Sequence, residues 1–433
     1  MIVPTRWALI AMFIAAAPAA LAAVDGRFTL LALGLDAAVL ALVGLEGWWL
    51  GRRRVVVRRA WVGRLQSGRP ATLQWTIENR DPRRTLRLTW LQPWPAGWTG
   101  DAGPWSVHLR PMERAVVSAV VTPRRRGDHE LPAMELDVTL PAALAAHRRA
   151  ERDGAGVTVY PSLVSIAAYE KLRRSRALTA AGFHLQRMVG AGREFDQLRD
   201  YIAGDDYRDI NWKATGRFGR PQTNLYRAER SRDVMICVEG GRMMGNPVGT
   251  RTAVDYAVDA ALLLAHACRD AGDRVGLITF RDRVDTVLRA GATTQAVMRT
   301  LARFDARPVF PHYLALAEAL RINQSRRALV LLLTDLSDPQ LAADLAGVMP
   351  LLRARHLVVV IALRDTLIDA IAHGPADAHG VDRVLAARTI VGERDAHSAA
   401  IRKAGVDVLH ADAERLSLAA VNHYMQVKAR QLV

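Results

Sequence analysis

Cysteine is almost missing from this chain of 433 residues, which carries two. Cys237 lies in an apolar strand-like run and Cys268 in an apolar helical one, and nothing near them has the C-x-x-C spacing of a metal or redox site. A disulfide framework is excluded, and both thiols read as small core side chains in a reducing compartment. Acidic residues are also in deficit, 43 against 59 Lys and Arg, for a formal net charge of +16 and an isoelectric point near 10.7. The basic residues are spread along the chain without a zinc-finger, RNA-recognition or basic-zipper pattern, so the expected polyanion is not nucleic acid but anionic membrane lipid. Catalytic signatures are absent too. There is no H-E-x-x-H and no G-x-S-x-G, and the 12 His are scattered. Residues 240–247 have the glycine spacing of a phosphate loop, but Asn246 and Pro247 stand where Lys and Ser/Thr are required. Asp205 and Asp206 are adjacent carboxylates of a kind that does acid–base work, yet on so charged a segment they read better as helix caps or ion-pair partners. The expectation is a protein that is not an enzyme and binds no cofactor.

Long apolar runs are present, and they are two. Residues 7–24 are apolar apart from Pro18, and after Asp25-Gly26-Arg27 the chain is apolar again over 28–50 except for Asp36 and Glu46. About 20 helical residues cross a bilayer core, so each run is long enough. Arg6 precedes the first and Arg52-Arg53-Arg54 follow the second, which by the positive-inside rule places both ends in the cytoplasm. Residues 1–54 are therefore expected to form a transmembrane hairpin. The alternative, a cleaved signal peptide over 1–23, is opposed by the Arg triplet and the missing disulfides.

Aromatic residues make up 6% of the chain, but six of the ten Trp fall between Trp61 and Trp105. They sit among short alternating runs such as 71–77 and 114–121, punctuated by Pro and Gly, so residues 55–150 predict a small antiparallel, β-sandwich-like domain with Trp in its core and rim. From residue 233 to 433 apolar strands alternate with helix-period segments: strands at 234–238, 274–280, 284–288, 328–334, 357–363 and 406–409, and helices near 253–271, 295–304, 314–321 and at the end. That is an α/β pattern, a doubly wound and mostly parallel sheet.

Between these domains, residues 151–232 form a connecting segment with the densest signal in the chain. From Arg193 to Arg232 there are seven acidic and nine basic residues threaded with aromatics. Phe195, Leu198 and Ile202 recur at i, i+3 and i+7, which predicts an amphipathic helix over 194–203 ending at Gly204. Asp205, Asp206 or Asp209 would cap a second short helix through Ile210 and Trp212, with Trp212 packed inside. Arg193, Arg199, Arg208 and Arg217 then pair with the acids as a strap between domains, or present part of the ladder to a partner.

The order Gly-Arg-Glu-Phe, Leu-Arg-x-Tyr, Gly-Asp-Asp-x-Arg-x-Ile-x-Trp resembles the core motif of the bacterial "domain of unknown function 58" family. The ending 422–428 also looks familial. This resemblance implies a bacterial inner-membrane protein with a cytoplasmic body, a von Willebrand factor A-like C-terminal fold and a MoxR-type AAA+ ATPase as partner, the chain acting as a non-catalytic adaptor or substrate. Interaction residues carried over from it are Arg193, Glu194, Phe195, Arg199, Tyr201, Gly204, Asp205, Asp206, Arg208, Ile210, Trp212 and Arg217. Von Willebrand factor A domains hold a metal through an Asp-x-Ser-x-Ser loop and a later Thr and Asp. Here the corresponding positions are Glu239, Gly241 and Met243, with Asp335 retained, so a metal-dependent receptor is the alternative function and a vestigial metal site the expectation, since a thioether is too soft for Mg²⁺.

Overall fold

A computed structural model describes residues 1–18, 27–52, 55–141, 143–152, 156–162, 164–174, 189–202, 205–227, 232–364, 366–375 and 380–430. The chain divides into two units, Met1–Tyr160 and Pro161–Val433.

In the first unit the short strand β1 (Ile2–Pro4) leads into helix α1 (Arg6–Ala15), and helix α2 (Arg27–Gly51) leads into β2 (Val55–Val62). With 25 residues and a mean hydropathy of 2.2 over its most apolar stretch, α2 is long and apolar enough to cross a membrane. The expected first span, 7–24, is present as the ten residues of α1, and its remainder from 19 onward lies outside the described residues. Ala8 of α1 and Val43 of α2 share a buried cluster with Ala145.

Alternation of apolar and polar residues gives the remaining strands: β3 (Ala71–Asn79), β4 (Leu86–Leu91), β5 (Trp98–Gly100), β6 (Trp105–Leu109), β7 (Arg114–Pro123), β8 (Gly127–Glu130), β9 (Met134–Thr139), β10 (Ala145–Glu151) and β11 (Gly156–Val159). They form antiparallel sheets in the orders β1-β10-β9-β4-β6 and β2-β3-β7-β5, with β11-β8 as a ribbon. Trp75 and Ile77 of β3 meet Leu88 and Trp90 of β4 and Leu136 of β9 in one core. The Trp cluster fills it as the alternation predicts, with Trp75 and Trp90 edge-on at 5.9 Å between ring centroids. The unit runs past the expected limit at 150 because β11 belongs to it.

Both ends of the apolar segment are fastened to the same sheet. β1 pairs with β10, and Glu46 near the end of α2 accepts the N–H groups of Leu144 and Ala145 through Oε2 at 2.8 and 3.0 Å. Gly47 leaves the space that the Ile2 side chain occupies.

The second unit opens with α3 (Val164–Arg174), the strand β12 (Val189–Asp200), α4 (Trp212–Phe218) and β13 (Gln222–Arg227). Its sheet is built from β14 (Asp233–Glu239), β17 (Arg274–Phe280), β18 (Val284–Leu288), β19 (Ala328–Thr334), β20 (Leu357–Arg364) and β21 (Asp407–Asp412), with a small ribbon of β15 (Pro247–Val248) and β16 (Arg251–Thr252) beside it. The order is β18-β17-β14-β19-β20-β21, parallel except for the edge strand β18. Every residue of β14 and β19 is buried, as a parallel strand covered on both faces requires. One face packs on α7 (Tyr313–Asn323) and α8 (Pro339–Arg353). The other packs on α5 (Ala253–Asp270) with the terminal helix α11 (Leu416–Ala429) against it. α6 (Thr294–Arg303), α9 (Thr366–His373) and α10 (Val381–Lys403) complete the unit. Cys237 and Cys268 are both buried and free.

Candidate docking surface

Residues 189–200 form a strand, not the helix that the 195, 198, 202 spacing predicts. β12 pairs antiparallel with β13, Phe195 opposite Tyr226 and Leu198 opposite Asn224, with register shifts between Val189 and Glu194 and between Phe195 and Gln197. A bulge absorbs one residue, so a spacing of three no longer separates a helical turn from a bulged strand. The partner strand that supplies the ladder bonds lies more than twenty residues away, beyond what a local pattern registers. Arg193, Glu194 and Phe195 fall on this strand, while Gly204 lies outside the described residues.

Several polar residues of the motif fasten it. Arg199 donates Nη2 to Asp205 Oδ1 at 2.6 Å, and Asp205 Oδ2 accepts the N–H of Ile202 at 3.1 Å. Asp206 caps a single 3-10 turn, Tyr207–Asp209, by accepting Arg208 N–H at 3.0 Å. Ile210 bridges to Thr223, so no helix continues through it. The cap of α4 is Asn211, which accepts Ala214 N–H at 2.9 Å and donates Nδ2 to Asn224 at 2.9 Å. Gly219 closes α4 at φ +67°, a left-handed position that suits glycine. Gln222 donates to Asp200 at 2.5 Å, and Arg220 pairs with the same carboxylate at 3.1 Å. The Tyr201 N–H bonds the carbonyl of Pro221 at 2.9 Å.

The large apolar side chains face outward instead. Trp212 is 71% exposed, Tyr207 68%, Phe218 61% and Ile202 60%. Trp212 is thus not the core residue the sequence predicts. Its helix of seven residues buries Ala214 alone, which leaves no interior wide enough for an indole. Arg208 lies over the Tyr207 ring at 5.7 Å, and Lys213 and Arg217 are exposed, with no ion pair to either among the described residues. The sequence did not single out Tyr207, Ile202 and Phe218 as outward-facing; the signal available was their recurrence beside Trp212 in a segment whose acids were already matched by bases. Trp, Tyr, Phe and cations exposed within one short segment have the composition of an interface rather than of an ordinary surface.

A second group of expected residues meets at the carboxyl ends of β14 and β19. Glu239 is buried; its Oε1 accepts the N–H of Gly241 and its Oε2 accepts Thr334 Oγ1 at 3.1 Å, while Tyr313 OH lies 3.0 Å from the same hydroxyl. Gly241 has no room for a Cβ, which would meet Glu239, Pro311 and the carbonyl of Val309. Asp335 Oδ1 accepts the N–H of Ser337 at 2.6 Å, and Arg242 bonds Asp338, the N-cap of α8. Burial would raise Asp338, but the N–H of Leu341 and the Arg242 guanidinium hold it below the usual range. Met243 lies half-buried against the core. No group of three His, Cys, Asp or Glu among the described residues is placed to hold a metal ion.

Burial pushes Glu239 up to about 7 from an ordinary 4.5, against the opposing hydrogen bonds from Gly241 and Thr334. The folded state therefore holds this proton more tightly than the unfolded one, and the stability it contributes is full at low pH and lost as pH rises to about 7. Glu239→Gln should flatten that slope by about 1–3 kcal/mol between acid and mildly alkaline pH, on the basis of roughly 1.4 kcal/mol per unit. Unfolding at pH 5 and pH 8 measures it, and an unchanged slope would place the proton elsewhere.

Residues 197–383 match the model of a family described as "Protein of unknown function DUF58". Uncharacterized proteins of Mycobacterium tuberculosis and Mycobacterium bovis are each 27% identical over 191 residues, 42% of this chain and 59% of theirs. The chain thus spans about three fifths of the length of these relatives. Among solved structures, the vWF domain of the type V pili tip protein Mfa5 from Porphyromonas gingivalis aligns at 9% identity and a TM-score of 0.30, covering 46% of this chain and 96% of that one.

Proposed function

This chain carries a domain of the DUF58 family, and we propose that it is a non-catalytic, membrane-anchored docking module for a MoxR-type AAA+ ATPase. The observation that carries the reading is the inversion within the motif. Asp200, Asp205 and Asp206, with Arg199 and Arg220, are engaged within the motif, while Trp212, Tyr207, Phe218 and Ile202 remain in solvent. A strap would do the reverse and bury its aromatics. The ATPase comes from the family resemblance, and the chemistry of the surface suits a partner offering apolar side chains ringed by acids. The sheet of the second unit, read as von Willebrand factor A-like, serves as the rigid support, with the strand-end loops closed on themselves around Glu239.

The anchor is read as a two-span hairpin in the inner membrane with the body in the cytoplasm. Attachment of β1 and of the end of α2 to one sheet supports it, because a chain that leaves and returns to the same domain crosses an even number of times. Trp48, with Arg52 stacked 3.5 Å from its ring centre, suits the inner interface, where anionic lipid would meet the basic residues. A membrane-impermeant thiol reagent applied to intact cells should label a Cys placed at Gly26 and spare one at Val433. Labelling at Val433 would overturn the hairpin. For the docking surface, a photocrosslinker at Phe218 should trap the ATPase in membranes; a crosslinker there that yields only self-products would refute this site.

A further inference from the structure

One end of the first unit's β sheets adjoins its apolar helices. β2 begins there, with Val55 opposite Asn79, soon after α2 ends at Gly51, and the Thr5 N–H just ahead of α1 bonds the Leu144 carbonyl at 2.9 Å. Two loops lie at the same end: residues 80–85 between β3 and β4, and residues 110–113 between β6 and β7. They meet because Leu86 pairs with Leu109 and Arg114 with Glu78. Arg84 lies over the Trp49 ring at 5.7 Å, so this rim touches the last turn of α2.

Hydrogen bonds knit the two loops into one platform. Buried Asn79 donates Nδ2 to the carbonyls of Arg84, Leu109 and Arg110 at 2.9, 3.1 and 2.9 Å, and its Oδ1 accepts the Asp81 N–H at 3.0 Å. Asp81, also buried, turns Oδ1 to the N–H groups of Arg83 and Arg84 at 2.9 and 3.0 Å, and its carbonyl accepts the Met112 N–H at 3.2 Å. Glu113 Oε2 accepts the Arg110 N–H at 2.6 Å. Both acids are thus turned to the backbone, and Arg80 pairs with Glu78 at 3.1 Å. Arg83, Arg84 and Arg110 are exposed and in no ion pair among the described residues. With both acids counted against the four arginines, the loops remain net positive. At their tip Met112 is 64% exposed at φ +58°, a left-handed backbone that favours glycine. Closing the loop does not call for a long thioether there.

We propose that this rim is a lipid contact, with Arg83, Arg84 and Arg110 on the phosphates of anionic headgroups and Met112 at the edge of the acyl layer. The proposal rests on the reading of α2 as a membrane span and names the face of the β unit that lies on the bilayer. An exposed apolar tip ringed by cations is the composition of an interfacial anchor. Each cation close to an anionic bilayer strengthens contact by about five-fold, and the attraction fades within a Debye length. Only loops as near to the span as these can use it.

The test uses the full chain in vesicles of phosphatidylcholine alone or mixed with an equal part of phosphatidylglycerol. Cys237 and Cys268 are buried, so an NBD label goes to the Cys of Met112→Cys. Its emission should shift to the blue and gain several-fold in intensity in the anionic vesicles over phosphatidylcholine. A label at Val120→Cys, 57% exposed toward the other end of β7, should not respond. Arg83→Glu with Arg110→Glu should return the Met112 label to its phosphatidylcholine signal without lowering Tm in detergent; where Tm falls, the comparison of the two lipids decides. Flotation with the vesicles reads the anchor separately. A chain that floats with neither lipid loses the span and this proposal with it. In a chain that floats with both, equal signals in the two lipids, a matching response at Val120, or a signal unmoved by the double reversal in a folded chain would overturn the rim contact alone.

Discussion

Replacing Asp273 by Ala should lower the stability of the C-terminal unit by about 3–5 kcal/mol, the cost of removing one partner from a buried ion pair. The Asp273 carboxylate is 1% exposed and is the meeting point of three elements. It accepts Tyr424 OH at 2.5 Å and Lys428 Nζ at 2.8 Å from α11, and the N–H of Arg232 at 3.2 Å from the entry to β14. Lys428 also donates to the carbonyl of Ala271, where α5 ends, at 2.6 Å. Without the carboxylate an ammonium and a phenol lose their acceptor in the interior, and the terminal helix loses its clasp on α5. Tyr424→Phe removes one charge-assisted bond and should cost about 1.5–3 kcal/mol. Denaturant unfolding at neutral pH reads both, and a loss below about 1 kcal/mol for Asp273→Ala would mean that water already reaches the pair.

That clasp is the physical content of the segment 422–428, which the sequence marked only as familiar. Other parts of the fold were legible because a single local property decided them. The strands at 274–280 and 328–334 are mostly apolar runs and 284–288 is a short β-branched one between breakers, and their limits match β17, β19 and β18. The alternation at 71–77 gave β3, and the alanine-rich period at 253–271 gave α5. α8, α9 and α10 were not foreseen. Only α8 carried a clear start signal, in Asp338-Pro339, where the Asp side chain caps Gln340 and Leu341 and Pro occupies the first turn. β12 was misread because its bulges imitate helical spacing and its pairing is non-local. Trp212, an aromatic in a charged segment, reads from the sequence as a core residue, and α4 provides no interior for it to enter. The pairing of Arg199 with Asp205 follows from complementary charge at short range. The outward placement of the aromatics does not, since it depends on which polar groups the hairpin consumes first.

The second large effect concerns those aromatics. Trp212→Ala should leave the melting temperature almost unchanged, because a side chain 71% exposed gives up little packing. If the proposed docking holds, it should nonetheless weaken capture of a MoxR-type ATPase by about 30-fold or more, the equivalent of the roughly 2 kcal/mol that defines an interface hot spot. Phe218→Ala should act in the same direction, and Lys213→Glu with Arg217→Glu should slow association and reduce its dependence on salt. Arg199→Glu serves as the contrast: it breaks the Asp205 pair that shapes the loop and should disturb folding before binding.

The most direct test of the docking proposal is the affinity of the purified full chain for a MoxR-type ATPase, measured beside its melting temperature for the native protein and for Trp212→Ala. The account predicts an unchanged melting temperature with an affinity lower by about 30-fold. Equal affinity in a folded Trp212→Ala chain would contradict it, as would a melting loss of the size expected for a core tryptophan, about 3–5 kcal/mol.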